Sequence, residues 1–400
     1  MEKEKKIMGL NRNVFFTGLV SFFMDFSSEM IYPLVPIFLS SVLGINKSLI
    51  GLIEGIAEST ASFLKIFSGY ISDRIGKRKI FLITGYGIST LSRPIVAIST
   101  RWWHVLTFRF IDRFGKGIRG APRDAIIANS TPPSEMGRSF GFHRAMDTAG
   151  AVVGPAVAYI ILLFFVKNYR LVFWLSMIPG IIAVIIIIFF IKEKKPDIKK
   201  VSMPEISFKK FDWKFKAFIV IVTIFSLGNS NDVFLILRAT NIGIKEYLIP
   251  LVYLVYNLIY ALTSIPAGII SDKIGRKKII FFSFILFGVI YWGFAISTKI
   301  WHIWLLFLLY GIFMGLTEGI HKAYLAGIIP ESMSATGFGI YNTFVGLAIL
   351  PASTVGGYLW DKYNPAATFY YGVITAFVSA IFFLIISGRE EIIMLFKRKK

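Results

Sequence analysis

A chain of 400 residues that is 55% apolar and only 17% charged, with a mean hydropathy of +0.67, lies outside the range of soluble globular domains. Its 44 Lys and Arg against 23 Asp and Glu leave a net charge of +21. These positives gather in short runs between apolar stretches and at the ends, the pattern of cytoplasmic loops and not of a nucleic-acid surface. Without Cys, and with four scattered His that show no ligand spacing, the chain offers no disulfide, thiolate site or Cys nucleophile, and neither metal nor cofactor is expected.

About 20 apolar residues are needed to span a bilayer. Twelve stretches qualify, at 14–41, 49–71, 79–99, 102–126, 139–165, 169–192, 214–239, 244–270, 279–298, 301–327, 336–360 and 366–388. The predicted fold is therefore an all-α integral membrane protein of twelve transmembrane helices. The charged start Met1–Lys6 leads into an apolar stretch too long for a signal peptide and interrupted by Asp25 and Glu29, so an uncleaved first helix is expected. The longest polar connection, at 193–213, is charged and lacks a helical apolar stripe. It reads as a cytoplasmic linker between domains at 1–192 and 214–400, the second ending in a short basic tail. The basic runs all fall on one side if both termini are cytoplasmic, which places the protein in the cell membrane as a multi-pass chain.

Ionisable groups inside membrane helices are costly and read as functional by default. The first stretch carries Asp25 and Glu29 four residues apart, on one helical face, with Pro33 and Pro36 beyond them. The second carries Glu54, Glu58 and Lys65 on one stripe. Acids crowded in a dry site cannot all be ionised, which suits proton coupling or substrate binding; structural pairing with basic residues of the fourth stretch is the plainer alternative. Between the second and third stretches runs Gly69-Tyr-Ile-Ser-Asp73-Arg74-Ile-Gly76-Lys77-Arg78-Lys79. Gly69 would allow close helix approach, Gly76 a turn of positive φ, and Asp73 a helix cap.

The fourth stretch is unusually basic, with Arg109, Asp112, Arg113, Lys116, Arg119 and Arg123. Charges left unpaired there would hold an anionic substrate. Gly115, Gly117 and Gly120 fit Gly-x-Gly-x-x-Gly, but no strand precedes them, so a dinucleotide loop is rejected in favour of close helix contact. The fifth stretch carries His143, Arg144 and Asp147, then Gly150, Gly154 and Pro155. In the second half, Gly268-Ile-Ile-Ser-Asp272-Lys273-Ile-Gly275-Arg276-Lys277-Lys278 repeats the earlier loop, which points to an internal repeat. Intramembrane charge is sparser there, and aromatic and amide groups (Tyr256, Asn257, Tyr260, Asn229) stand in its place.

The duplicated loop, Gly-x-x-x-Asp-[Arg/Lys]-x-Gly-[Lys/Arg]-[Lys/Arg], resembles the signature of the major facilitator superfamily, and the resemblance covers nearly the whole chain. It implies two pseudo-symmetric six-helix bundles around a central cavity, rocking for alternating access, with the loop as a cytoplasmic gate. Arg109 matches that family's helix 4 Arg, whereas Asp112 and Arg113 depart from its usual Gln and Gly. Gly150-x-x-x-Gly154-Pro155 resembles the helix 5 motif of its antiporters, without the glycines that usually follow. The closest resemblance is to a poorly characterised archaeal and bacterial branch. The implied function is secondary active transport of a small molecule, driven by a proton or sodium gradient since no nucleotide-binding loop is present. Proton-coupled export by antiport is the leading expectation, and an organic-anion carrier using the basic helix the alternative. A non-transporting sensor or scaffold is the remote one, and an enzyme is not expected. A monomer in the bilayer is implied.

Overall fold

The computed structural model describes residues 6–132, 135–193, 211–330 and 333–398; most of the expected linker lies outside them. The chain begins with a small antiparallel hairpin, β1 (Lys6–Ile7) and β2 (Leu10–Asn11), absent from the all-helical expectation. Its two turn residues, Met8 and Gly9, have φ of 52° and 76°, as a tight two-residue hairpin turn requires. Lys6 Nζ meets Glu135 Oε1 at 2.8 Å, and Arg138 donates to the Met8 carbonyl.

Helices follow almost without interruption, each apolar stretch giving one helix or a broken pair. α1 (Arg12–Ile31), capped by the Asn11 side chain, ends before Pro33; α2 (Val35–Ile37) and a π turn (Phe38–Val42) continue it. α3 is Lys47–Ile75. α4 (Arg78–Leu91) and α5 (Arg93–Ala97) are separated at Ser92 because Pro94 can supply no amide to the ladder. α6 is Trp102–Asn129 and α7 Met136–Phe164; α8 (Tyr169–Leu175) and α9 (Met177–Phe190) follow. α10 (Trp213–Gly228) and α11 (Val233–Ile242) flank an unwound segment. α12 (Ile249–Ile274), α13 (Arg276–Ile296), α14 (Ile300–Ile328), α15 (Ser334–Lys362) and α16 (Pro365–Arg398) complete the chain.

Among the described residues, ten helical spans are long and apolar enough to cross a membrane. α3 and α6, at 29 and 28 residues, have the length, about 1.5 Å per residue, but carry the acid and base residues singled out above.

Two compact units partition the chain. Unit 1 comprises Met1–Ile45, Ile56–Met203 and Lys245–Leu254. Its core is built from Val20, Met24, Leu82, Tyr86, Ile126 and Ile187, drawn from α1, α4, α6 and α9. Missing side chains let its helices touch. A Cβ on Gly115 would lie 2.5 Å from the Gly85 carbonyl, and one on Gly117 2.7 Å from Leu64 Cβ. Gly120 meets nothing closer than 3.7 Å, so the close-contact role does not extend to it. Buried Asn13 clamps the end of the unit's last span, accepting from Lys192 N and donating to Lys192 O.

Unit 2 comprises Asn46–Gly55, Pro204–Ile244 and Val255–Lys400. An aromatic core (Phe225, Phe284, Phe287, Phe313, Tyr291) fills it. Gly311 and Gly315 of α14 press on α12, where an added Cβ would fall 2.7 Å from the Tyr256 carbonyl and 2.3 Å from Thr263 Oγ1. The start of α3 belongs to this unit. Asp361 of α15 accepts from the Lys47 and Ser48 amides at 3.1 and 2.6 Å, and a Cβ on Gly51 would overlap the Ser353 carbonyl. Asp361 thereby caps a helix more than 300 positions away in sequence.

Candidate functional site

The duplicated loops take the backbone form their glycines predict. Gly76 between α3 and α4 has φ +71°, and Gly275 between α12 and α13 has φ +99°. Asp272 pairs with Arg276 at 3.0 Å, and Arg276 also donates to the Ala323 carbonyl of α14. Arg74 is exposed; the side chain of Asp73 and the surroundings of Gly69 lie outside the described residues. Gly268 has open space where a Cβ would stand.

Inside unit 1 the charges of α1, α3, α6 and α7 sort into two clusters. In the first, Glu58 of α3 accepts a charge contact from Arg113 Nε at 2.9 Å and from Arg109 at 3.6 Å. Both guanidinium groups lie over the Tyr32 ring, at 5.5 Å for Arg109 and 6.0 Å for Arg113. Asp112 is 3.9 Å from Arg113 and 3.6 Å from Arg93. Arg93 is 1% exposed and sits where α4 breaks, donating to Ser28 Oγ at 3.0 Å. Few arrangements keep so many charges out of water, since each must find a partner to offset desolvation. Arg119 turns toward α4, donating to Ser89 Oγ at 2.7 Å with its guanidinium over Tyr86, so it belongs to α6–α4 packing and not to a loop latch.

The second cluster lies at the crossing of α1 and α7. A Cβ on Gly150 would fall 2.3 Å from the Phe22 carbonyl and 3.1 Å from Asp25 Cβ, and one on Gly154 3.0 Å from Glu29 Cβ. This close approach brings the Asp25 carboxyl within electrostatic reach of Asp147, three residues before Gly150. Ser21 donates to the other face of Asp147, and Arg144 stands 3.5 Å away. Two carboxylates only accept, so a hydrogen bond between this pair would require one proton held on it. Exposed Lys116 lies within electrostatic reach of both Asp25 and Glu58.

Other candidates fall elsewhere. Glu54 is buried and belongs to the 46–55 segment of unit 2. Pro155 is buried within α7. His143 is buried with its Nε2 unpartnered among the described residues. In unit 2, Tyr310 donates to Asp232 at 2.7 Å beside the unwound segment, and Glu318 accepts from Tyr260 and pairs with Lys322 at 3.2 Å. No group of three or more His, Asp or Glu able to hold a metal ion occurs among the described residues. The reading of the sequence missed Arg93, Tyr32 and Ser21. Only Arg93 left a trace there, as a lone cation before a proline in an apolar run.

A polytopic helical protein with paired charges inside its spans and a duplicated Gly-Asp-Arg-Gly loop is of the membrane-transporter class. The family model described as Major Facilitator Superfamily matches residues 17–228 and again 215–393, and the chain belongs to that family. It is 39% identical over 384 residues to an uncharacterized MFS-type transporter, MJ1317, of Methanocaldococcus jannaschii, covering 94% of this chain and 95% of that one. Multidrug resistance protein MdtH of Proteus mirabilis is 28% identical over 147 residues, 37% of this chain and 36% of its own. The crystal structure of nucleoside transporter NupG (D323A mutant) superposes with a TM-score of 0.81 at 12% identity, covering 93% of this chain and 99% of that one, a likeness of fold. The protein is thus a multi-pass membrane protein of a transporter family that carries small molecules, and not an enzyme.

Proposed function

We propose that the protein is a monomeric secondary transporter of the cell membrane, with twelve spans in two six-helix bundles and both termini cytoplasmic. It moves its substrate by alternating access in exchange for protons, with the Asp25–Asp147 pair as the coupling site. The observation that carries this reading is the close approach of α7 to α1 at Gly150 and Gly154, which sets Asp25 and Asp147 beside each other. A proton held between two acids can leave when a cationic substrate or a helix shift separates them. Glu58 suits that role less well, because two guanidinium groups already balance its charge. The outward direction is supported by the antiporter-like Gly150–Pro155 segment and by the partial similarity to a multidrug resistance protein. The alternative, an organic-anion carrier, is supported by exposed Lys116 beside the arginines of α6.

The test is pH-dye fluorescence in proteoliposomes under an imposed pH gradient, with lipophilic cations and organic anions added in turn. Flux triggered by cations, and abolished in Asp25→Asn and Asp147→Asn, supports the proposal. Flux triggered by anions, and lost in Lys116→Gln, supports the alternative. Folded protein that moves no proton with any compound contradicts proton coupling.

A further inference from the structure

At the junction of α7 and α8, unit 1 carries an open cavity of about 290 Å³ whose lining includes Leu162, Val166, Lys167, Tyr169, Lys245 and Glu246. Its charges are unequally satisfied. Glu246 is fully engaged: one carboxylate oxygen accepts from Ser41 at 2.6 Å and the other from the Tyr169 hydroxyl. Lys167 and Lys245 are both exposed, and neither makes an ion pair among the described residues, although Lys245 Nζ lies 6.0 Å over the ring of Tyr247.

The backbone holds Lys167 in place. It sits at φ +61°, in a turn closed by Asn168 N donating to Phe165 O, and the Asn168 side chain then caps α8. A non-glycine residue in the left-handed region is uncommon and persists where surrounding contacts fix it. Beside the cavity, the end of α7 and the turn after it are strongly apolar and uncovered: Phe164 is 75% exposed and Val166 64%. Two ammonium groups at the rim of a cavity with an apolar wall match an anionic amphiphile. The ammonium groups would face its phosphate, and Leu162, Val166 and Phe165 its chain.

We propose that this cavity binds the phosphate-bearing headgroup of an anionic membrane lipid. A bound lipid would bridge Lys167 of the α7–α8 turn and Lys245 of the segment that unit 1 takes from later in the chain. It would reinforce the Glu246 bonds to Ser41 and Tyr169.

Native mass spectrometry of the full chain in detergent, offered phosphatidylglycerol or phosphatidylcholine of equal chain length, tests this. Wild type retains phosphatidylglycerol preferentially. Each ammonium near a lipid phosphate contributes on the order of 1 kcal/mol, so Lys167→Gln/Lys245→Gln should cut that preference roughly thirtyfold. Lys167→Arg/Lys245→Arg should keep it. Val166→Asp should weaken lipid retention and leave the melting temperature without lipid unchanged. Equal retention of both lipids by wild type, or unchanged preference in the Lys→Gln double variant, overturns the proposal. So does equal stabilisation by phosphatidylglycerol and by glycerol 3-phosphate, which would mark a site for free phosphate.

Discussion

Arg93 shows how a single side chain can decide whether a charge is tolerable inside a membrane span. It is 3.6 Å from Asp112, whose other nearby cation, Arg113, is at 3.9 Å and already engaged by Glu58 at 2.9 Å. Replacing Arg93 by Met should leave Asp112 buried with half its compensation, at a cost of about 3–5 kcal/mol. The double change Arg93→Met/Asp112→Leu should recover most of that loss, because a dry apolar pair carries no desolvation penalty. Thermal unfolding of purified protein measures both, and equal melting of wild type and Arg93→Met would show that the pair is idle. Outside the spans, the hydrogen bond from Lys6, and then its charge, hold the Glu135 carboxyl below its usual range. A lowered carboxyl contributes stability above its unfolded pKa and loses it as pH falls through the folded value. Amide protection in the 6–11 hairpin, relative to the intrinsic exchange rate at each pH, should therefore fall on acidification below the ordinary carboxylate range and stay flat above it. Lys6→Gln should remove the dependence.

At the scale of the element, glycines set which helices meet. Gly150 and Gly154 let α7 reach the backbone of α1, and that contact juxtaposes Asp25 with Asp147. Gly150→Leu must push the helices apart, because its Cβ alone would fall 2.3 Å from a carbonyl oxygen. The expected loss is at least about 1–3 kcal/mol, and the carboxyl pair should separate with it. Gly268→Ala is the contrasting case. Its site is open and helical, so removing glycine flexibility should stabilise by roughly 0.5–1 kcal/mol. A Gly268→Ala protein that melts lower would mean that this copy of the loop does make a close contact. The sequence made much of this level legible. Apolar length located the helices, and the repeated Gly-Asp-Arg-Gly loop located two turns whose positive φ the backbone bears out. Less legible were the breaks at Ser92 and at 229–232, where proline and tyrosine–backbone contacts override an unbroken apolar pattern.

For the molecule as a whole, the halves share an architecture of contacts but not of charge. α6 meets α3 through Gly117, and α14 meets α12 through Gly311 and Gly315, as an internal repeat would arrange them. Where the first half sets acids against arginines, the second sets the carboxylates of Asp232 and Glu318 against tyrosine hydroxyls. Spacing along one helix correctly grouped Asp25 with Glu29 on a face. It could not reveal that Asp25 would meet Asp147 while Glu58 met Arg113, since partners on other helices depend on crossing geometry that one-dimensional periodicity does not encode. Proton coupling here depends on Asp25 and Asp147 sharing a proton. Infrared spectroscopy of the purified protein at neutral pH, before and after exchange into heavy water, addresses it directly. A shared proton should give a protonated-carboxyl carbonyl band that shifts on exchange, disappears in both Asp25→Asn and Asp147→Asn, and survives in Glu318→Gln. Absence of that band in the wild type, or its survival in both Asp variants, would contradict the shared proton and the coupling mechanism built on it.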